Sequence, residues 1–351
     1  MSVDSAMYQT IHRQPADLRR IVDEGWTQAS QAVDLIGTSE RVILTGIGTS
    51  HHAAMVGAWL LRAAGIDARA VSSFDLARYP EQFPLGADDS VVVFSHTGET
   101  RFPAEVGAFY GAGDPTVIAI GSPTAVHPGA VLSLRTVDVE VSAAFTSSHL
   151  CAMTVIAQVA TDLGERREAA GVAGFREALM ALPDLVASVL SREAEIRPIA
   201  EYAVNHRVYA AGGGPNEATA LEFVIKARES AYAQVDAMAA EQFLHGPMVA
   251  FATGDLLVMI NVEGNAIDRT AAIAAVASKI GGKVWMVGEG VGVGGATTFS
   301  LPPLPEMLTP LLAVVPMQIL AQQMAIVNGV NPDTFRWDDD RYRDAYSILH
   351  L

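Results

Sequence analysis

Glu222, Lys226 and Glu229 stand at i, i+4 and i+7 in the stretch "ALEFVIKARESAY". At about 100° per helical residue they share a strip roughly 60° wide. Desolvating such charges would cost several kcal/mol unless they pair or do chemical work. Phe223 and Ile225 flank the strip, while Val224, Ala227 and Ala231 point away from it, so it reads as partly buried. A solvated helix face, with i,i+4 pairs worth about 0.3–0.5 kcal/mol each, is the competing reading of the same spacing.

A second group of residues could hold an anion. In "VVVFSHTGET" (91–100) an apolar, strand-forming run gives way to Ser95, His96, Thr97, Gly98, Glu99 and Thr100. In "GIGTS" (46–50) another apolar run ends in Gly48, Thr49 and Ser50. Each loop lies between an expected strand and an expected helix. A helix N-terminus offers unpaired N–H groups and about half a positive charge. Hydroxyls add donors, and glycine lets the backbone come close. Together these describe a phosphate cradle that needs no lysine. Taken singly, Thr49, Ser50 and Thr97 also fit ordinary helix caps. No G-x-G-x-x-G opens a helix and no Gly-Lys-Ser/Thr occurs, so neither a dinucleotide fingerprint nor a P-loop is present.

The third candidate is His245, before Gly246 and Pro247 in "AEQFLHGPMVAF". A lone histidine beside a turn is more often structural than catalytic. Spacing alone assigns no catalysis to His12, His51, His52, His96, His127, His149, His206 or His350. No His/Asp/Glu group has metal-ligand spacing. No metal or cofactor is expected.

The elements that must position these groups follow an α/β pattern. After a helical opening, strands are expected at 42–45, 68–72, 91–94, 116–120 and 131–134, with helices at 50–64, about 102–111 and 148–163. A polar helical stretch, roughly 165–201, interrupts the alternation. It restarts with "RVYAAGGGPNEATALEF", laid out like "RVILTGIGTSHHAAMV" as arginine, apolar strand, glycine-rich turn and helix. "DLLVMINV", a helix from Ile267, "KVWMVGEG" and a helix from Leu308 follow. Apolar strands separated by helices predict parallel sheets covered on both faces. The expected organisation is a helical segment at 1–38, one α/β unit at 39–170, a helical linker at 171–200, a second α/β unit at 201–330 and a tail at 331–351.

Composition narrows the partners. The 351-residue chain is half hydrophobic and 18% charged, far from a disordered composition. Its formal net charge of −16 disfavours nucleic acid and anionic membranes, which call for clustered Lys and Arg. The apolar stretch 308–327 carries Pro310, Pro316, Gln318, Gln322 and Gln323 and reads as a buried helix, not a membrane span. The opening Met1, Ser2, Val3 and Asp4 lack the basic-then-apolar pattern of a signal peptide. A single cysteine, Cys151, excludes internal disulfides. A cytoplasmic location is expected.

Taken together, these pieces resemble the sugar isomerase (SIS) family. The likeness is strongest to the isomerase half of the glucosamine-6-phosphate synthases, or glutamine–fructose-6-phosphate aminotransferases, and it covers nearly the whole chain. "IHRQPADLRR" is similar to an I-x-x-Q-P opening. "GTS" and S-x-[ST]-G-E-T resemble the sugar-phosphate loops. ALE-x-x-x-K-x-x-E-x-x-Y followed by E-x-x-x-H-G-P is similar to the isomerase signature, at matching separation.

The resemblance implies two tandem doubly wound, flavodoxin-like parallel-sheet subdomains covered by helices. It also implies roles. Ser50, Ser95, Thr97 and Thr100 would hold the phosphate, with Gly48, Thr49, His96 and Gly98 shaping the loops and Glu222 lining the site. Glu229 would move a proton between C1 and C2 of an open-chain sugar, tuned by Lys226 and Glu222. His245 would aid ring opening and, in a homodimer, reach into the neighbouring subunit's site.

Departures from the family pattern matter as much. The sequence starts at the isomerase half, which implies no glutamine-driven synthesis on the same polypeptide. The synthase tail lysine that forms a Schiff base has no counterpart in 331–351. His96 replaces the usual Gln, and "AAFTSSHL" stands where V-A-[ST]-x-K is usual, which is closer to the phosphosugar deaminase and isomerase branch. The expected activity is therefore a phosphosugar aldose–ketose isomerase or a deaminating amino-sugar-phosphate isomerase. A fructosamine-phosphate deglycase and a non-catalytic sugar-phosphate sensor are the alternatives. Arg336, Trp337, Arg341, Tyr342 and Arg343 either close over the sugar or belong to a surface tail.

Overall fold

The computed structural model describes residues 5–290 and 292–348. The expectations drawn on residues 1–4, on His350 and on the last residues of the tail lie outside the described residues. The chain forms two compact units. One comprises Gln14–Glu140, Phe145–Pro183 and Arg336–Leu351, and the other Met1–Arg13, Val141–Ala144 and Asp184–Phe335. Helices α1 (Ala6–Glu24) and α7 (Phe175–Leu190) each contribute to both.

The first of these units holds α2 (Trp26–Ile36), β1 (Arg41–Gly46), α3 (Thr49–Ala63), β2 (Asp67–Ser72), α4 (Ser73–Arg78), β3 (Asp89–Phe94), α5 (Arg101–Gly111), β4 (Thr116–Gly121), β5 (Leu132–Arg135) and α6 (Ser147–Arg166). Its five strands pair in the order β2-β1-β3-β4-β5, all parallel. Val42, Leu44, Val92, Phe94, Ile118 and Ile120 point to one face and Ile43, Val91, Val93, Val117 and Ala119 to the other, and all are buried. This double burial explains why the strands read as continuous apolar runs rather than as alternation. Helix α3 lies close on the first face: a Cβ at Gly57 would come within 2.6 Å of a Leu44 methyl. Leu76 of α4 and Val106 and Tyr110 of α5 close the other face.

The second unit holds α8 (Arg197–Ala203), β6 (Val208–Gly212), α9 (Glu217–Ala231), β7 (Val235–Ala239), α10 (Ala240–Leu244), β8 (Leu256–Asn261), α11 (Ile267–Ile280), β9 (Lys283–Gly288), β10 (Thr297–Phe299) and α12 (Thr309–Asn328). Its parallel order, β10-β9-β8-β6-β7, mirrors that of the first sheet. Phe243 of α10 and Ile273, Ala274 and Ala277 of α11 pack with Tyr209, Leu257, Met259 and Met286 on one face. Helices α9 and α12 pack against one another. The segment Glu306–Asn328 is long and apolar enough to cross a membrane, but its apolar stretch is 89% buried within the protein. That fits the reading of 308–327 as a core helix. A last helix, α13 (Asp340–Tyr346), lies in the tail. Two parallel sheets flanked by helices are the fold class expected from the sequence.

Candidate functional site

The two hydroxyl-rich loops leave neighbouring strands. β1 and β3 pair directly, with Thr45 opposite Val93, and β2 lies on the far side of β1. The chain therefore reverses its direction of winding between them, and the loops after β1 and β3 emerge side by side. In open parallel sheets ligands bind at the carboxyl ends of the strands at such a switch.

The first loop is shaped by its glycines. Gly48 has φ +57° and immediately precedes α3. A Cβ at Gly46 would sit 2.6 Å from the backbone of Ser50. Thr49 and Ser50 thus fall in the first turn of α3, where Ser50 N–H bonds back to Ile47.

The second loop is held from below. Ser95 N–H donates to Ile120 O at 3.0 Å, and His127 Nε2 donates to Ser95 O at 2.8 Å. The carbonyl only accepts, so it places the hydrogen on Nε2, and His127 Nδ1 lies 3.0 Å from Ser133 Oγ. His127 received no role from the sequence, and no spacing signal could have supplied one. Gly98 (φ +75°) lies so close to Val126 that a Cβ would come within 2.5 Å of its carbonyl. Thr97 Oγ1 accepts from Glu99 N–H, not from a helix amide. Thr100 precedes α5 with no side-chain capping bond. The reading of Thr97 as a helix cap therefore fails, and the hydroxyl of Thr100 does not cap α5.

Two polar atoms in this loop are conspicuous. Ser95 is 3% exposed and its Oγ has no hydrogen-bond partner among the described residues. An orphaned buried hydroxyl costs about 1–3 kcal/mol and calls for an explanation. His96 Nε2 is likewise buried without a partner among the described residues, while the ring hydrogen-bonds the Asp138 backbone and meets Phe145 edge-on. Burial pushes its pKa down to about 4, against the weaker raising effect of Asp138. His96 is therefore neutral at pH 7, with a bare nitrogen facing inward.

A third helix terminus in the same unit is already filled. Glu140, 6% exposed, accepts from Thr146 N–H through both oxygens (3.0 and 2.9 Å) and from Ser148 N–H at 2.6 Å. Its carboxylate occupies the start of α6.

In the other unit, α9 carries the charged strip. Glu222 is 0% and Lys226 1% exposed, so the solvated-face reading fails. Lys226 Nζ lies 2.7 Å from Glu229 Oε2 and 3.5 Å from Glu222 Oε1. Glu229 reaches solvent, with 29% of its side chain exposed. The depth comes from α12: Ser230 Oγ lies 3.4 Å from Ala321 O, and Asn328 donates to Ala231 O at the end of α9. Tyr232 closes α9 in a left-handed conformation, which places Glu229 in the last turn.

His245 follows α10 and is 70% exposed. Its Nε2 lies 2.9 Å from Glu241 Oε1, and Arg269 of α11 grips the same carboxylate through two bonds of 2.7 Å. Arg269 first, and His245 second, draw the pKa of Glu241 down to about 2. Gly246, at φ +114°, makes the turn beyond it. The cations of the tail are engaged locally. Arg336 stacks on Tyr342 and bonds its hydroxyl, Arg341 pairs with Asp339, and Arg343 bonds Trp337 O and Asp340.

No family model matches the chain. It is 28% identical over 338 residues to a glutamine–fructose-6-phosphate aminotransferase (isomerizing) of Pyrococcus horikoshii, an alignment covering 93% of this chain and 56% of that protein. The chain thus spans about half the length of the curated relatives it matches. Among solved structures, the C-terminal domain of glucosamine-fructose-6-phosphate aminotransferase from Francisella tularensis superposes with a TM-score of 0.85 at 18% identity, covering 94% of this chain and 98% of that one. Tagatose-6-phosphate ketose/aldose isomerase from Escherichia coli does so with a TM-score of 0.80 at 17% identity, covering 95% of each chain.

Proposed function

We propose that this double-SIS chain, homologous to the isomerase half of the glutamine–fructose-6-phosphate aminotransferases, is a phosphosugar aldose–ketose isomerase or a deaminating isomerase of amino-sugar phosphates. The observation that carries the reading is the Lys226–Glu229 pair. A partly exposed carboxylate is held beside a buried ammonium in the last turn of α9. That is a base within reach of a ligand and kept ionised by its neighbour.

In this reading the phosphate takes the place of the missing partner of Ser95 Oγ, bound also by Ser50, Thr97 and Thr100 and by the amides that open α3 and α5. Gly48, Thr49 and Gly98 set the backbone, and His96 contacts the sugar. Glu229 removes the proton from C2 of the open-chain aldose. The electron pair forms the C1–C2 double bond of an enediol as the C1 carbonyl pair moves to O1, which takes up a proton; the carbon-bound proton then returns to C1 as O2 releases its own proton and becomes the ketose carbonyl. With an amine on C2, the same transfer yields an imine, which water hydrolyses to ketose and ammonia. Lys226 and Glu222 hold Glu229 in place. His245 serves ring opening and, given its exposure, acts in the site of a second copy, so the working form is a homodimer.

The test is a panel of hexose and hexosamine 6-phosphates in deuterated water, read for deuterium at C1 and C2 and for released ammonia. Exchange without ammonia identifies the isomerase, and ammonia from an amino sugar identifies the deaminase. Tight binding of these compounds with neither exchange nor ammonia would leave a sugar-phosphate binding protein.

A further inference from the structure

His245 presents a puzzle of its own. A side chain 70% exposed has no packing to fix its ring, yet both its neighbours are organised. Glu241 stands one turn before it in α10, an ordinary i,i+4 relationship. Such an exposed pair alone is weak and would sample several rotamers. What changes the situation is Arg269, from a different helix. Its planar guanidinium takes both oxygens of Glu241, Nε on Oε2 and Nη2 on Oε1, each at 2.7 Å. A bidentate fork fixes the plane of a carboxylate as well as its position. Glu241 Oε1, shared between Arg269 and His245, then points its remaining acceptor capacity at one ring nitrogen, Nε2.

The chemistry of that contact decides the tautomer. An ionised carboxylate only accepts. Nε2 must therefore carry the hydrogen, and in the neutral ring Nδ1 carries the lone pair. We propose that Arg269 and Glu241 are positioning residues that hold His245 as the Nε2–H tautomer, presenting Nδ1 as the base that opens the sugar ring. This rests on the reading above that His245 serves ring opening. In the step itself, Nδ1 takes the proton of the anomeric hydroxyl. The carbonyl forms as the bond from the anomeric carbon to the ring oxygen breaks, and its electron pair goes to that oxygen. The imidazolium, stabilised meanwhile by Glu241, returns the proton to the ring oxygen and is neutral again. Arg269 keeps Glu241 from swinging away when His245 is neutral.

The experiment compares a cyclising hexose 6-phosphate with its 4,5-dideoxy analogue, which keeps no hydroxyl able to close a five- or six-membered ring, in the full-length protein. The readout is the ratio of kcat/KM on the two. Glu241→Ala and Arg269→Ala are expected to lower that ratio, roughly tenfold or more for Glu241→Ala, because a misoriented acid–base group forfeits part of a contribution of about 10²–10⁴. Glu241→Gln, which keeps an acceptor oxygen, should restore part of it. The 15N shifts of His245 should report Nε2–H in the wild type and a mixture of tautomers in Glu241→Ala. If His245→Ala leaves the ratio unchanged, the ring-opening reading itself falls. If His245→Ala lowers it while Glu241→Ala and Arg269→Ala change neither ratio nor tautomer, the positioning role alone is overturned.

Discussion

Lys226 holds its ammonium 2.7 Å from the carboxylate of Glu229, one residue being fully buried and the other open to solvent. The pair divides two tasks within a single helical turn: the buried partner supplies charge, and the exposed one can meet a ligand. Glu229→Gln keeps the shape and removes the base. Deuterium exchange at C2 is expected to fall by about 10²–10⁴, with sugar-phosphate affinity little changed. NMR in deuterated water and calorimetry measure the two. Full turnover in this variant would end the proton-transfer mechanism.

Lys226→Met is a test of stability rather than chemistry. Glu222 at 0% exposure would lose the cation 3.5 Å away, leaving a carboxylate in the protein interior without that compensation. Breaking a buried pair from one side costs about 3–5 kcal/mol. Urea unfolding should register a loss of that order. A loss under about 1 kcal/mol would mean that the cluster behaves as a surface pair.

Ser95→Ala should separate folding from binding. The hydroxyl has no partner among the described residues, so its removal leaves nothing behind to satisfy. Stability is expected to stay level or rise by up to about 1 kcal/mol. Affinity for a sugar phosphate should fall by roughly tenfold to hundredfold, the worth of a hydrogen bond to a charged group. A variant that binds as tightly as the wild type would dismiss the loop as an anion site.

His96 gives a pH dependence with a definite sign. Its pKa of about 4 in the folded protein lies below the ordinary 6.5. Between these values the unfolded chain binds a proton that the folded chain refuses, so stability falls as pH drops through this window. The loss attributable to His96 by pH 4 is of order 2–3 kcal/mol. Chemical denaturation across pH 4–7 in the wild type and in His96→Gln measures it, and the slope should flatten in the variant. An NMR titration placing the His96 midpoint near 6.5 would contradict the burial argument.

Much of this architecture was legible because apolar runs and glycine-rich turns are local. The strands around Leu44, Val92, Ile118 and Val258 could be read directly, as could the loops ending in Ser50 and Thr100. β7 and β10 escaped notice: "VDAMA", at a sheet edge, is interrupted by Asp236 and has one buried residue, and the three residues Thr297–Phe299 carry too little pattern. The complete burial of Glu222 was out of reach for another reason. It depends on α12, whose Ala321 lies 91 residues beyond Ser230 in sequence. The same holds for Arg269, 28 residues from Glu241, and for His127, 32 from Ser95. These side-chain contacts join distant stretches, and spacing along a chain does not encode them.

Glu140 has one more consequence. Because it is covalently part of the chain, its carboxylate confronts the first amides of α6 at an effective concentration in the millimolar range or above, whatever the solution contains. A free phosphate must outcompete that built-in counterion to settle there. Of the three long helices that begin after strands of the first sheet, one is thus permanently plugged. On the proposed reading incoming phosphate is left the two at Ser50 and Thr100, and part of the selectivity of this surface would come from the door it keeps shut.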